Sequence, residues 1–326
     1  MLDTTDHAAR AHRPEGINPG RARGTIRRLY DQDELSPARL SAPLLIRPDN
    51  DATGALPGEV DLHGLADHAR RLAALGLGGV KVFAAGHDHD PRGSAAIAPG
   101  NRMVRAIDTI KAAAPQLAVT TEVCGCSWTS THECVLRHDD GRIDLATTYE
   151  LMSQMAVMHA AAGADAVSPT AMLDGSIRAV RHALDNAGWH DVSVNPNIAV
   201  DTALYEPFKA LMGTQPASGR RSGLQIDTAR LVPAAVDCAH RWLAEGADAL
   251  TLQPVMTNTD ALAALAARTT APVVAYSTSG EWAAMQAVPP TVALDYHRML
   301  FRLGAGHVLS FAAQKIAQSL QDGARS

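Results

Sequence analysis

Lysine is scarce in this chain. Of its 29 Lys and Arg residues only four are lysines, Lys81, Lys111, Lys209 and Lys315, so chemistry that needs a primary amine has few places to go. Cysteine is equally sparse, with four among 326 residues and three of them clustered. That pattern argues against a disulfide framework and for a reducing, cytoplasmic setting. There is no excess of positive charge. At a net charge of −5 nothing electrostatic points to nucleic acid. No apolar run approaches the roughly 18 residues needed to span a bilayer, and the opening MLDTTDHAARAHRPEG lacks the apolar core of a signal peptide. Neither a membrane nor a nucleic acid is therefore an expected partner.

What is present centres on EVCGCSWTSTHEC, Glu122 to Cys134. It follows a β-branched run, Leu117-Ala118-Val119-Thr120-Thr121, and packs Cys124, Cys126 and Cys134 into eleven positions. Cys-x-Cys sets two thiols on one side of an extended segment, and a return loop can bring the third to meet them. Three thiolates with an open fourth position suit a zinc that works on a substrate; His132 as a fourth ligand would make the site structural instead. Three buried, inert cysteines are the alternative.

Along the chain, residues 1–38 are polar and carry Arg21, Arg23, Arg27 and Arg28. They read as a disordered tail or as an arm that orders on a partner subunit. From residue 39 to 326 strands and helices alternate. The expected strands are 41–46, 79–85, 117–124, 165–169, 192–200, 248–255, 272–277 and 307–311. Helices are expected over 65–75, 102–113, 149–162, 176–187, 201–212, 228–244, 260–268, 291–303 and the C-terminal stretch, with a Gly/Ser/Arg loop at 213–223. Eight strand-then-helix units predict a (β/α)8 TIM barrel. A doubly wound sheet is the other option, but no Gly-rich dinucleotide turn follows the first strand.

A barrel puts its chemistry at the C-terminal ends of its strands. There the sequence offers His87-Asp88-His89-Asp90, the cysteines, Asp174, Asn195, Asn197, Gln253 and Ser279. The His87/His89 loop reads either as a second metal site or as a solvated acidic loop.

The motifs VCGC…HEC, AGADAVSPTAMLDG (162–175), LYEPFK (204–209), EGADALTLQP (245–254) and AYSTSGEW (275–282) resemble those of porphobilinogen synthase, or 5-aminolevulinate dehydratase, nearly end to end. The resemblance implies a (β/α)8 barrel with an N-terminal arm embracing a neighbour, usually in an octamer. The family joins two aminolevulinate molecules through two strand-end lysines that form Schiff bases. Anchored on LYEPFK and ALTLQP, those lysines fall on Ala199 and Gln253, and neither residue can form an imine. The aspartate before the cysteines becomes Glu122, another becomes Ala171, a carboxylate-gripping arginine becomes Lys209, and a tyrosine becomes Phe311. The glutamate of an allosteric magnesium site aligns with Cys238. Retained by the resemblance are Cys124, Cys126 and Cys134 for zinc, Arg221 and Gln225 in the lid segment, and Ser279.

The expectation that follows is a zinc enzyme with altered chemistry on a small keto or amino acid. Glu122, Gln253, Asn197 and Asp174 are its catalytic candidates and Lys209, Arg221, Gln225 and Ser279 its substrate-binding ones, with Arg221 and Lys209 holding a carboxylate or phosphate. Two alternatives are a non-catalytic or regulatory homologue, and a true dehydratase that recruits Lys81, whose side chain shares a face of its strand with Phe83.

Overall fold

A computed structural model describes residues 22–30, 35–49, 51, 53–84, 88–217 and 224–323. Its strands are β1 (Leu40–Ile46), β2 (Glu59–Val60), β3 (Gly79–Ala84), β4 (Ala118–Val123), β5 (Ala166–Pro169), β6 (Ser193–Val194), β7 (Asn197–Ala199), β8 (Leu250–Gln253), β9 (Val273–Ser277) and β10 (His307–Ser310). Every pairing between them is parallel. The sheet runs β6-β5-β4-β3-β1-β10-β9-β8-β7, with β2 only flanking β1.

The two ends of that path are halves of one extended stretch. β6 and β7 are separated by Asn195 and Pro196 alone. Asn195 N–H still donates to Val167 beside β6 at 2.8 Å, and Thr251 N–H on the other flank donates to the Pro196 carbonyl at 2.9 Å. Pro196 has no N–H to give the ladder, which is why a continuous expected strand over 192–200 splits here. The sheet therefore closes, with eight strand positions once β6 and β7 are counted together. This is the expected (β/α)8 barrel.

Two of the helices show how apolar residues repeating at helical spacing behind a capping side chain form such an element. In Arg102–Ala113, Asn101 Oδ1 accepts from Val104 N–H, and Met103, Ala106, Ile107 and Ile110 turn one buried face to the sheet. Asp61 caps Leu62–Ala74 in the same way. The expected helix over 201–212 is instead a 3-10 turn, Ala203–Tyr205, leading into Glu206–Met212. A helix at Ser279–Met285 has no counterpart in the sequence reading. Among the described residues no helix is long and apolar enough to cross a membrane.

Part of the segment expected to be an arm belongs to its own barrel. The helix Gly24–Tyr30 buries Ile26 and Leu29 against Ala118 and Ala166 at the N-terminal mouth. Arg23 and Thr25 reach the Asp165 carboxylate at 3.2 and 3.0 Å, and the Leu29 carbonyl sits 3.3 Å from His307 Nδ1. Residues 1–21, and the oligomer contacts expected of them, lie outside the described residues.

The barrel interior has two halves. Leu45, Phe83, Val274, Tyr276, Leu309 and Phe311, from β1, β3, β9 and β10 and the residue after β10, form an apolar cluster. Lys81, Glu122, Ser168, Asn197 and Gln253, from β3, β4, β5, β7 and β8, supply polar groups across from it.

Candidate active site

β4 delivers the cysteines to the C-terminal mouth. Cys124 continues the strand in extended geometry, and Gly125–Ser127 forms one 3-10 turn that carries Cys126. The chain then returns past Gly125, where a Cβ would stand 3.3 Å from the Glu133 and Cys134 carbonyl oxygens; the missing side chain lets the two segments pass this close. Thr129 Oγ1 donates to the Glu133 carbonyl at 3.1 Å and holds the return. The three sulfurs end within 4.8 Å of one another, all buried.

This donor set fits zinc. A tetrahedral site with Zn–S of about 2.3 Å spaces its sulfurs about 3.8 Å apart. The hydrogen bond that Cys126 donates to the Cys124 sulfur, then burial, holds the Cys126 thiol well above the ordinary thiol range; a bound cation is what lets such a set ionise. Among the described residues no fourth His, Asp or Glu joins the three within that distance. His132, the possible fourth ligand, adopts a left-handed backbone (φ 54°) and packs its ring against His89 at 4.9 Å. His87 lies outside the described residues. Asp90 is spent on its own loop, accepting from the backbone of Arg92 and Ser94 at 2.7 and 2.9 Å, which favours the solvated-loop reading.

One cavity opens beside the cysteines. Cys126, Cys134 and Glu122 line it, as do Asn197, Gln253, Gln225, Lys209 and Ser279. Gln225 is brought there because Ile226 pairs with β7, its N–H donating to the Ala199 carbonyl at 2.9 Å. Arg221 lies outside the described residues. Asp174 is a correction: it faces outward, in an exposed ion pair with Arg241 at 3.3 Å, and is not part of the cavity wall. The helix Ser176–Asn186 begins just after it, behind Gly175 at φ 90°.

Under this cavity runs a buried hydrogen-bond chain. Lys81 is 3% exposed, and its Nζ donates to Ser168 Oγ at 2.8 Å and Asn197 Oδ1 at 2.9 Å. Asn197 Nδ2 donates in turn to Gln253 Oε1 at 2.9 Å. Burial lowers the Lys81 pKa to about 7, against the pull of the Glu122 carboxylate, which raises it. Glu122 accepts from Ser127 Oγ at 3.1 Å.

The facing wall explains why LYEPFK and STSG occur together. Ser279 Oγ accepts from Phe208 N–H at 3.0 Å, and Thr278 Oγ1 donates to the Leu204 carbonyl at 3.2 Å. Gly280 lies so close that a Cβ would stand 2.5 Å from the Leu204 oxygen. Tyr205 Oη donates to the Gln253 carbonyl at 2.8 Å. Lys209 pairs with Glu206 at 3.1 Å while lining the cavity.

Tyr276, Thr278, Phe83, Tyr205 and Phe208 also line the cavity and were not among the sequence candidates. Strand alternation carried the signal for two of them: Val274 points inward, so Tyr276 and Thr278 follow at the two-residue period. Burial, with the Glu122 and Glu281 carboxylates, pushes the Tyr276 phenol well above its ordinary value, so it stays protonated.

A closed parallel barrel with a cavity at its C-terminal mouth is the architecture of a (β/α)8-barrel enzyme. A family model described as delta-aminolevulinic acid dehydratase matches residues 17–319, and the chain belongs to that enzyme family. The delta-aminolevulinic acid dehydratase of Methanothermobacter thermautotrophicus is 33% identical over 270 residues, covering 80% of this chain and 82% of the relative. That of Synechocystis sp. is 29% identical, over 94% and 99%. The Toxoplasma gondii delta-aminolevulinic acid dehydratase (porphobilinogen synthase), solved with its reaction product porphobilinogen, superposes with a TM-score of 0.84 over 95% of this chain and 93% of that one. At 24% identity that likeness speaks for the fold.

Proposed function

We propose that this chain is a zinc-dependent enzyme of the delta-aminolevulinic acid dehydratase family that works without Schiff bases. Its reaction is a condensation, dehydration or lyase step on a small keto or amino acid carrying a carboxylate. One observation carries this reading. Ala199 and Gln253, where the resemblance puts the two lysines, are register partners at the ends of β7 and β8 and both line the cavity. Neither brings a nucleophilic amine to the substrate.

Cys124, Cys126 and Cys134 would hold the zinc, which supplies Lewis-acid polarisation of a carbonyl or a water of lowered pKa. Glu122, at the cavity edge and two residues from Cys124, is the general base. Tyr276, kept protonated by burial, is suited to donate a proton or a hydrogen bond. Lys209, with Arg221 from the lid segment, grips the substrate carboxylate.

The test is turnover. Zinc-loaded protein given aminolevulinate should make little or no porphobilinogen, while a screen of anion-bearing keto and amino acids should find zinc-dependent turnover. Arg221→Ala should weaken substrate binding and Cys124→Ser abolish the chemistry. Porphobilinogen formation on the order of one per second or faster would overturn the reading.

A second reading is favoured by Lys81, a buried amine with a pKa of about 7 one hydrogen-bonded residue from Gln253. It would make the protein a dehydratase with one relocated lysine, although one amine cannot serve two imines. Porphobilinogen formation that disappears in Lys81→Met would support it. A zinc-bound chain inert to every substrate would instead support a non-catalytic, regulatory role.

We further propose a cytoplasmic homo-oligomer, an octamer or a dimer-based assembly, with residues 1–21 lying on a neighbouring subunit. Deleting residues 1–21 leaves the barrel's own cap, Gly24–Tyr30, in place. The deletion should lower the mass in solution; an unchanged mass would contradict an assembling arm.

A further inference from the structure

Lysine chemistry fixes the sense of the chain beneath the cavity. As an ammonium, Lys81 Nζ can only donate, and Ser168 Oγ and Asn197 Oδ1 take two of its N–H bonds. Ser168 Oγ keeps lone pairs to accept with, and its one hydrogen turns to the Asn195 carbonyl at 2.7 Å or to Asn197 Oδ1 at 2.8 Å, the latter also marking that oxygen as an acceptor. With its oxygen held by the amine, the Asn197 carboxamide must present Nδ2 on its other side, toward Gln253 Oε1. The Gln253 carboxamide is thereby turned with Nε2 away from Asn197. No acceptor among the described residues takes the Nε2 hydrogens, and Gln253 lines the cavity. Asn197 is 1% exposed, so water does not scramble its orientation.

We propose that Lys81 is a positioning residue. Through Asn197 it sets Gln253 as a hydrogen-bond donor facing the cavity, so the end of β8 selects a ligand oxygen, the carbonyl or carboxylate of an oxo acid, over an ammonium at the same place. This deepens the proposed function and rests on its reading of the cavity as a site for small carboxylates. Cys126, Cys134 and Gln253 line the same cavity. An oxo acid can thus meet a donor amide without a covalent bond to the protein.

The experiment compares two ligands that differ at one group, levulinate and 4-aminopentanoate, by calorimetry on the zinc-loaded full chain. The wild type should prefer levulinate by about tenfold or more, the effect of one well-formed hydrogen bond against an unsatisfied contact. Asn197→Asp presents only acceptors, so Gln253 must turn its Nε2 inward and its oxygen to the cavity; the preference should reverse. Lys81→Met leaves Asn197 free to take either orientation, and the preference should shrink to within about threefold. Equal weakening of both ligands in the two variants, with selectivity unchanged, would show a merely structural role and overturn the proposal. Neutron diffraction on deuterated wild-type crystals decides the case independently of any ligand. Deuterons on the cavity side of Gln253 support the proposal, and a bare oxygen there overturns it. If the wild type binds neither ligand, the substrate class of the proposed function fails, and the neutron map still judges the orientation.

Discussion

Ala199 and Gln253 end neighbouring strands in register and meet the same cavity, yet their surroundings differ in kind. Ala199 has a methyl group to offer, and its backbone N–H faces the Met172 thioether at 3.1 Å, with Ala171 nearby on the wall. Gln253 is tied to Asn197 and through it to Lys81, and its carbonyl is held by Tyr205. One strand end is closed off with weakly polar atoms, while the other is kept as an oriented polar station. On the proposed reading, two positions that the resemblance treats as a pair differ in role: the β7 side shapes the pocket, and the β8 side addresses a ligand.

The comparison can be broken most severely at the metal. If the polar side is organised around zinc, Cys126→Ser combined with Cys134→Ser should take the metal content from one zinc per chain to none, measured on protein purified without added zinc. An unchanged stoichiometry would remove the metal from the account.

The next largest effect concerns Lys81. Its folded pKa of about 7 lies below the ordinary lysine value of 10.5. Below pH 7 the amine is charged in both states, and the folded protein bears the cost of burying it. Between about 7 and 10.5 the unfolded chain binds the extra proton, so stability rises with pH. Relative to Lys81→Met, the wild type should gain up to about 5 kcal/mol across that window, followed by denaturant unfolding at several pH values. A flat difference would show that the amine is not buried as described.

A smaller effect is expected at the wall that braces β8. In Gly280→Ala the new methyl meets the Leu204 carbonyl at 2.5 Å, a backbone atom with little freedom to move. Overpacking of this kind costs about 1–3 kcal/mol, readable as a lowered thermal midpoint. The smallest change belongs to the β7 side. Met172→Ala should alter oxo-acid binding by no more than about threefold, against about tenfold or more for Gln253→Ala; equal effects would erase the distinction between the two ends.

Much of this arrangement was legible in the sequence. Strand runs and glycine stops marked all eight barrel positions, because parallel strands buried on both faces read as short apolar segments. The cysteine cluster was visible from spacing alone. The split at Pro196 followed from proline chemistry but needed the closure partners on both flanks to be seen. Asp174 was misleading because position after a strand says nothing about which way a loop turns its side chain. The cap at Gly24–Tyr30 was hidden in a polar segment in which Ile26 and Leu29 are buried. The orientation of Gln253 was out of reach, since it depends on Lys81, Ser168 and Asn197 meeting across three strands.

The central claim is that this chain handles its substrate without an imine. Zinc-loaded wild-type protein should be incubated with aminolevulinate, treated with borohydride and measured by intact-mass and peptide mass spectrometry. The account predicts an unmodified chain, with no adduct on Lys81 or any other lysine. A reduced adduct of one aminolevulinate on Lys81 would contradict it and make that residue the nucleophile.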